Sequence, residues 1–252
     1  MKPQNLHTHT TFCDGKSTAE EMAAAALAAG CGSIGFSGHA PLPFPNVWSM
    51  KEESVAPYRA AVLALREEYA GRMAVYLGLE QDILSPAPAD PYDYRIGSVH
   101  CLETAEGIVS VDHTPDDFAW GIRCCYGGDP RALVEDYYRQ EAQVAEKTGC
   151  EIVGHFDLVT KFNEGGRFFD EEDRRCRAAA LEALDALLER DVLFEINTGA
   201  MSRGYRSVPY PAPFLLRHIH ARRGRILVTG DSHSAAAILH GYLGGQAGAG
   251  AM

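Results

Sequence analysis

The stretch Asn5-Leu-His-Thr-His-Thr-Thr-Phe-Cys-Asp-Gly15 sets His7, His9 and Asp14 within eight residues. In an extended chain, residues i and i+2 project to the same side, so His7 and His9 present two imidazoles to one point. Imidazole is a common ligand of zinc, iron and manganese, and two from one strand make half of a metal site. Taken alone, the pair reads equally well as two surface histidines. What decides is that the chain repeats the device. Apolar runs end in Ser33-Ile-Gly-Phe-Ser-Gly-His39, Val75-Tyr-Leu-Gly-Leu-Glu80, Arg95-Ile-Gly-Ser-Val-His100, Glu151-Ile-Val-Gly-His155 and Arg225-Ile-Leu-Val-Thr-Gly-Asp231-Ser-His233. Each histidine or carboxylate sits just past its run. A single one would be a satisfied core or loop residue; six such ends together point to one site.

The elements that must position these groups follow from the same runs. Seven short apolar or β-rich segments lie near 3–6, 33–37, 73–79, 94–99, 150–153, 192–196 and 225–229. Helical patterns lie between several of them. Ser17-Thr-Ala-Glu20 reads as a capping box for a helix running to Gly30. Val55, Tyr58, Val62, Leu65 and Tyr69 recur at helical spacing over 54–70. Asp129-Pro130 opens a helix to about Lys147, with Gly149 after it. Asp170 opens another, with Leu181, Leu184, Leu187 and Leu188 on its apolar face. Pro211–His220 and Ser234–Tyr242 are shorter candidates. Strands alternating with helices imply parallel strands and right-handed crossovers. A closed β/α barrel and an open doubly wound sheet both fit, and in either the strand ends share one rim. Residues 103–129 read as a long connection of the functional or lid kind, and the small residues of 244–252 as a flexible tail. No linker divides the chain, so 1–252 reads as one domain.

Composition narrows the function. A net charge of −11 argues against a nucleic-acid or membrane surface, though not against an anionic substrate at a metal cluster. No apolar run is long enough to span a membrane, and the N-terminus lacks a signal-peptide layout. The seven cysteines form no C-x-x-C pair and read as free thiols in a reducing cytoplasm. Of the ten histidines, His113, His218, His220 and His240 end no strand and read as structural, with His113 alone near enough in sequence to a functional loop to touch a substrate. Nothing in the sequence sets an oligomeric state.

From the H-x-H stretch to Gly-Asp-Ser-His233, the chain resembles the PHP (polymerase and histidinol phosphatase) family. Ile152-Val-Gly-His-Phe-Asp-Leu-Val159 and Phe194-Glu-Ile-Asn-Thr-Gly199 resemble its stand-alone histidinol-phosphate phosphatase branch. The resemblance implies a distorted (β/α)7 TIM-like barrel with a trinuclear site at the C-terminal rim of the strands. Carried over by motif, His7, His9, Glu80 and Asp231 would hold one ion. Glu80 would bridge to a second ion with His100 and His155, and Asp14, His39 and His233 would hold a third. In some family members a histidine stands at the position of Asp14. The mixed nitrogen and oxygen ligands fit three divalent ions of zinc, iron or manganese.

The implied activity is a metal-dependent phosphomonoesterase acting on a small-molecule phosphate ester, L-histidinol phosphate in histidine biosynthesis. Asp231 and His233 would assist the attacking water or the leaving alkoxide. Lys161, Arg203 and Arg206, in loops after the fifth and sixth strands, are expected to contact the phosphate. Two other readings keep the metals: a phosphoesterase of nucleotides or other small esters, and a metal-binding module without turnover.

Overall fold

The computed structural model describes residues 2–240. The strands, in chain order, are β1 (Gln4–Asn5), β2 (Ser33–Phe36), β3 (Ala74–Asp82), β4 (Tyr94–Ser98), a hairpin of β5 (Cys101–Thr104) and β6 (Gly107–Ser110), β7 (Ile152–Val153), β8 (Leu193–Asn197) and β9 (Arg225–Thr229). Apart from the hairpin they form one parallel sheet in the order β1-β2-β3-β4-β7-β8-β9. All seven expected strands are present. The sheet closes on itself just past β1 and β9, where the Ser232 amide donates to the His7 carbonyl at 3.0 Å and the His9 amide to the Ser232 carbonyl at 2.9 Å. The result is a nearly closed barrel, joined at the rim where the ligand candidates lie. Of the two architectures compatible with the sequence, the barrel is the one adopted.

Eight α-helices stand among the described residues: α1 (Ala19–Ala28), α2 (Glu52–Glu68), α3 (Pro115–Cys125), α4 (Pro130–Glu141), α5 (Val144–Thr148), α6 (Arg174–Leu188), α7 (Gly199–Ser202) and α8 (Pro213–Ala221). The capping box of α1 falls one residue later than expected. Thr18 Oγ1 accepts from the Glu21 amide, and the Glu21 carboxylate accepts from the Thr18 amide. Ser17 is engaged elsewhere, its hydroxyl accepting from the Ala235 amide at 3.1 Å. Likewise α6 is capped by Asp173, which accepts from the Arg175 and Cys176 amides, while Asp170 only closes a turn onto Glu172. The helix expected from Asp129 to Lys147 is divided at 142–143 into α4 and α5, and Gly149 ends it in the left-handed conformation. Residues 103–129 are not an irregular connection. They hold most of the β5–β6 hairpin and α3, which Thr114 caps and Pro115 opens. Of the expected helix at 234–242, Ala235–Ala237 form one 3-10 turn; its last residues and the tail at 244–252 lie outside the described residues. Among the described residues no helix is long and apolar enough to cross a membrane.

The barrel interior is apolar at the bottom and polar at the top. Along β8, Leu193, Glu195 and Asn197 share one face. Leu193 packs on Tyr94, Ile96 and Ile152 at the floor, while Glu195 and Asn197 are fully buried above it. A cavity of about 990 Å3 forms an open and mainly apolar bowl beneath that floor, away from the ligand candidates. Tyr94 fills the floor because two strands yield to it. A Cβ on Gly35 or Gly78 would sit 2.2 Å from its ring or hydroxyl atoms. Gly78→Ala is therefore expected to destabilise the protein by about 1–3 kcal/mol, because a buried aromatic ring must move. Urea unfolding measures this; an unchanged midpoint would mean that Tyr94 can be displaced freely.

Candidate metal centre

His7, His9, Asp14, His39, Glu80, His100, His155, Asp231 and His233 all come together at the C-terminal rim. The arrangement is local in origin: Glu80 lies near the end of β3 and the others follow parallel strands, and parallel strands end on one side. At its centre is Glu80, 1 % exposed. Its Oε2 lies 3.1 Å from His7 Nε2, 3.4 Å from His9 Nε2 and 2.9 Å from His39 Nδ1. Its Oε1 lies 3.3 Å from His100 Nε2 and 2.9 Å from His155 Nε2. Asp231 Oδ1 adds contacts of 3.7 Å to His7 Nε2 and 3.3 Å to His9 Nε2. Asp14 lies 3.2 Å from His233 Nε2 and 3.7 Å from His39 Nε2.

These distances fit cations. Ligand atoms about 2.1 Å from a tetrahedral ion are about 3.4 Å from one another. Moreover, His7 Nε2, His9 Nε2, His39 Nδ1 and Glu80 Oε2 are buried without a hydrogen-bond partner. Four such atoms converging on one point would be costly unless something electropositive satisfied them. Four groups have ligand atoms all within 4.8 Å of one another: His7, His9 and Asp231; His9, Asp14, His39 and His233; His7, Glu80 and His155; and His39, Glu80 and His100. The groups overlap in His7, His9, His39 and Glu80, which makes the site polynuclear in layout.

The electrostatics favour ligation. Burial alone would push the Glu80 carboxyl up, but His39, His7 and His100 hold it well below the usual carboxylate range. Burial likewise opposes ionisation of Asp231, and Arg203 with His7 overcomes it. His9 is driven down to about 3 by burial and by its neighbours His233 and His39, so its ring is neutral at pH 7. His7 is different. Burial pulls it down, but Glu195, Glu80 and Asp231 lift it well above the ordinary histidine value.

Several residues that the sequence reading passed over orient the ligands. Glu195, fully buried, accepts from His7 Nδ1 and from the His155 amide at 2.8 Å, and is held by Thr229 and by Asn197 at 2.9 Å. Asp82 faces His100 Nδ1 at 3.1 Å and accepts from its amide at 2.8 Å. Carboxylates behind imidazoles set the tautomer and raise ligand basicity. Cys13 takes a comparable position, its sulfur 3.5 Å from His9 Nδ1. The strand alternation Glu80-Gln-Asp82 and the polar residues in Phe194-Glu-Ile-Asn197 were the available signals. Asp231 itself has φ 44°, a left-handed backbone that turns its carboxylate toward the histidines.

The basic residues separate. Arg203 lines the cavity over the cluster, about 210 Å3 in volume, and its guanidinium meets Asp231 Oδ2 at 3.0 Å and His233 Nδ1 at 2.8 Å. Lys161 lines it too, with its ammonium held by the Asp112 carboxylate at 3.1 Å and carbonyl at 2.7 Å. Arg206 does not line it. It is buried in a two-pronged pair with Glu171 at 2.8 and 3.0 Å, so its role here is to pin two loops together. His113 forms part of the cavity wall. His218, paired with Asp185 at 2.7 Å, lies on α8, away from the cluster.

Residues 5–199 match the PHP domain family. A protein of Deinococcus radiodurans described as a probable histidinol-phosphatase is 33% identical over 239 residues, covering 90% of this chain and 85% of that one. Among solved structures, a candidate histidinol phosphatase of Listeria monocytogenes superposes with a TM-score of 0.81 at 20% identity, over 96% of this chain and 99% of its own. A histidinol phosphate phosphatase of Lactococcus lactis, complexed with zinc, L-histidinol and phosphate, gives 0.72 at 21% identity, over 97% and 93%.

Two substitutions separate ligation from orientation. Glu80→Gln, at the centre, is expected to abolish stable metal uptake. Glu195→Gln, behind His7, is expected to weaken it by about tenfold to a hundredfold. Metal retained against a graded series of chelators reads both; equal and full retention in the two variants would remove Glu80 from the centre of the site.

Proposed function

The chain belongs to the PHP domain family, and from that premise we propose that it is a metal-dependent phosphoric monoester hydrolase converting L-histidinol phosphate to L-histidinol and phosphate. The observation that carries this is the convergence of five imidazoles on the buried Glu80 carboxylate, in a cavity that also presents Arg203 and Lys161. The names of the relatives support the substrate. Seven unpaired cysteines support a reducing, cytoplasmic setting.

We assign His7, His9, Glu80 and Asp231 to one divalent ion, Glu80, His100 and His155 to a second, and Asp14, His39 and His233 to a third; zinc, iron and manganese suit this donor set. When bound, such ions make water nucleophilic near neutral pH and neutralise charge on phosphoryl oxygens. The chain's own residues do the rest. Arg203 offers its planar donors to the phosphate, and Lys161 a point charge from the neighbouring loop. As water attacks phosphorus in line and the ester P–O bond breaks, one proton leaves the water and one reaches the departing alkoxide. Asp231 and His233 line the cavity beside Arg203, and we assign these proton transfers to them. Asp112 steadies Lys161, and the Trp48 ring packs beside His39 and His100.

Turnover of L-histidinol phosphate by the metal-loaded protein, beside nucleotide and other phosphomonoesters, tests the activity; equal turnover of all of them would overturn the substrate. Arg203→Ala is expected to keep its metal and lose about tenfold to a hundredfold in kcat/KM, the value of one charge-assisted contact. Arg203→Lys should recover part of that. Full metal content with unchanged kcat/KM would return Arg203 to a purely structural pairing with Asp231.

A further inference from the structure

Arg203 and Lys161 line one cavity but come from different loops. Lys161 lies in the connection from β7 to α6, and Arg203 in the connection from β8 to α8. Strand ends fix where each loop begins. They do not fix how far apart two side chains stand several residues further out. A phosphate gripped from both sides needs that spacing held constant.

Contacts between the two loops hold it. Gly204, at φ 75°, bends the chain between Arg203 and Arg206. Arg203 meets Asp231 and His233 at the cavity, while Arg206 crosses to the other loop. Arg206 Nη1 donates to the Thr160 carbonyl at 3.2 Å and to Glu171 Oε1 at 2.8 Å, and Nη2 donates to Glu171 Oε2 at 3.0 Å. Thr160 is the residue before Lys161. Tyr205, between the two arginines, has its ring centroid 5.1 Å from the Lys161 ammonium and 5.6 Å from that of Phe162. The Ser207 hydroxyl donates to Glu164 Oε1 at 2.6 Å, and the Ala212 amide to Asp157 Oδ2 at 2.9 Å. The second loop is thus tied to the first from Tyr205 to Ala212.

Within this set Arg206 is buried, with its fork closed on one carboxylate. A buried ion pair adds little net stability, because desolvation offsets the attraction, and apolar side chains of similar volume often pack as well. What the fork adds is geometry. Two parallel hydrogen bonds fix the plane of the guanidinium, and the third fixes the backbone next to Lys161.

We propose that Arg206 is a positioning residue for phosphate recognition: through Glu171 and the Thr160 carbonyl it locks the two loops into one body and so sets the spacing of Lys161 and Arg203. The inference rests on the phosphatase reading above. Arg206 does not line the cavity, so it acts only through the two cations that do.

Removing one partner would strand a buried charge, so the informative variant removes both, Arg206→Met with Glu171→Leu. Asn163, which also donates to Glu171 at 2.9 Å, keeps its bond to the Phe169 carbonyl at 3.0 Å. The double variant is expected to keep its metal and a thermal midpoint within about 5 °C of wild type. Its affinity for inorganic phosphate, read by calorimetry on the metal-loaded chain, should weaken about tenfold, and kcat/KM for L-histidinol phosphate should fall about tenfold, mostly through KM. On this background Arg203→Ala should cost about threefold less than on wild type, because the guanidinium it removes is already displaced. A purely structural pair would move the midpoint and leave phosphate affinity alone. Arg206→Lys, which keeps the charge and loses the fork, should fall between wild type and the double variant, and carries the test if the double variant does not fold. If wild type cleaves the ester and the folded variants bind phosphate as wild type does, this inference is wrong and the phosphatase reading stands. If metal-loaded wild type neither binds inorganic phosphate nor cleaves a phosphomonoester, that reading falls and this inference falls with it.

Discussion

A carboxylate 1 % exposed with five imidazoles within 3.4 Å of it is the constraint on which the rest of this structure depends. Burying an ion without compensation costs several kcal/mol or more, and five imidazoles crowded onto one carboxylate leave buried nitrogens without partners. Glu80 is tolerable where it is because the surrounding nitrogens are aimed at shared points between them, where cations would turn mutual crowding into coordination. The barrel supplies the geometry. Its strands bring residues from 7 to 233 to one rim, and the hydrogen bonds between Ser232 and the His7–His9 segment close the ring at that same level.

The second layer does as much to specify the site as the first. Glu195 connects His7, the His155 amide, Thr229 and Asn197 through four contacts, and Asp82 holds both the amide and the ring Nδ1 of His100. These carboxylates lie on strands β8 and β3, so their positions are set by sheet register, the stiffest feature of the fold. A loop could place an imidazole near a cation; a strand-borne carboxylate behind it removes its remaining freedom. Asp231, at φ 44°, shows where regular backbone geometry gives way to the needs of the site.

The molecule also divides its work along the barrel axis. Tyr94, Ile96 and Ile152 seal the floor, with Gly35 and Gly78 making room for the tyrosine ring. Polar groups are confined to the upper layers, above that seal. The insert between β4 and β7 stands over the upper rim with Trp48 and forms a wall that no barrel strand could supply. The ligand candidates thus belong to strand ends, and the wall beside them to connections.

The nine ligand candidates were legible in the sequence because each follows a short apolar run, and period and position alone place such residues on a common rim. The seven strands were legible for the same reason. Strand alternation with helices serves open and closed sheets equally, so the barrel was legible only through the family resemblance; in the structure the contact between residues 7–9 and 232, more than two hundred positions apart, closes it. Cap positions slipped where two candidates compete, as at Ser17 and Thr18, because the losing hydroxyl has a tertiary partner in Ala235. Arg203 and Arg206 look alike in sequence, three residues apart in one loop. Only folding brings Asp231 to the first and Glu171 to the second, and so leaves one guanidinium at the cavity and buries the other in an ion pair. Residue type and spacing determine which groups can do chemistry; long-range neighbours decide which of them are free to do it.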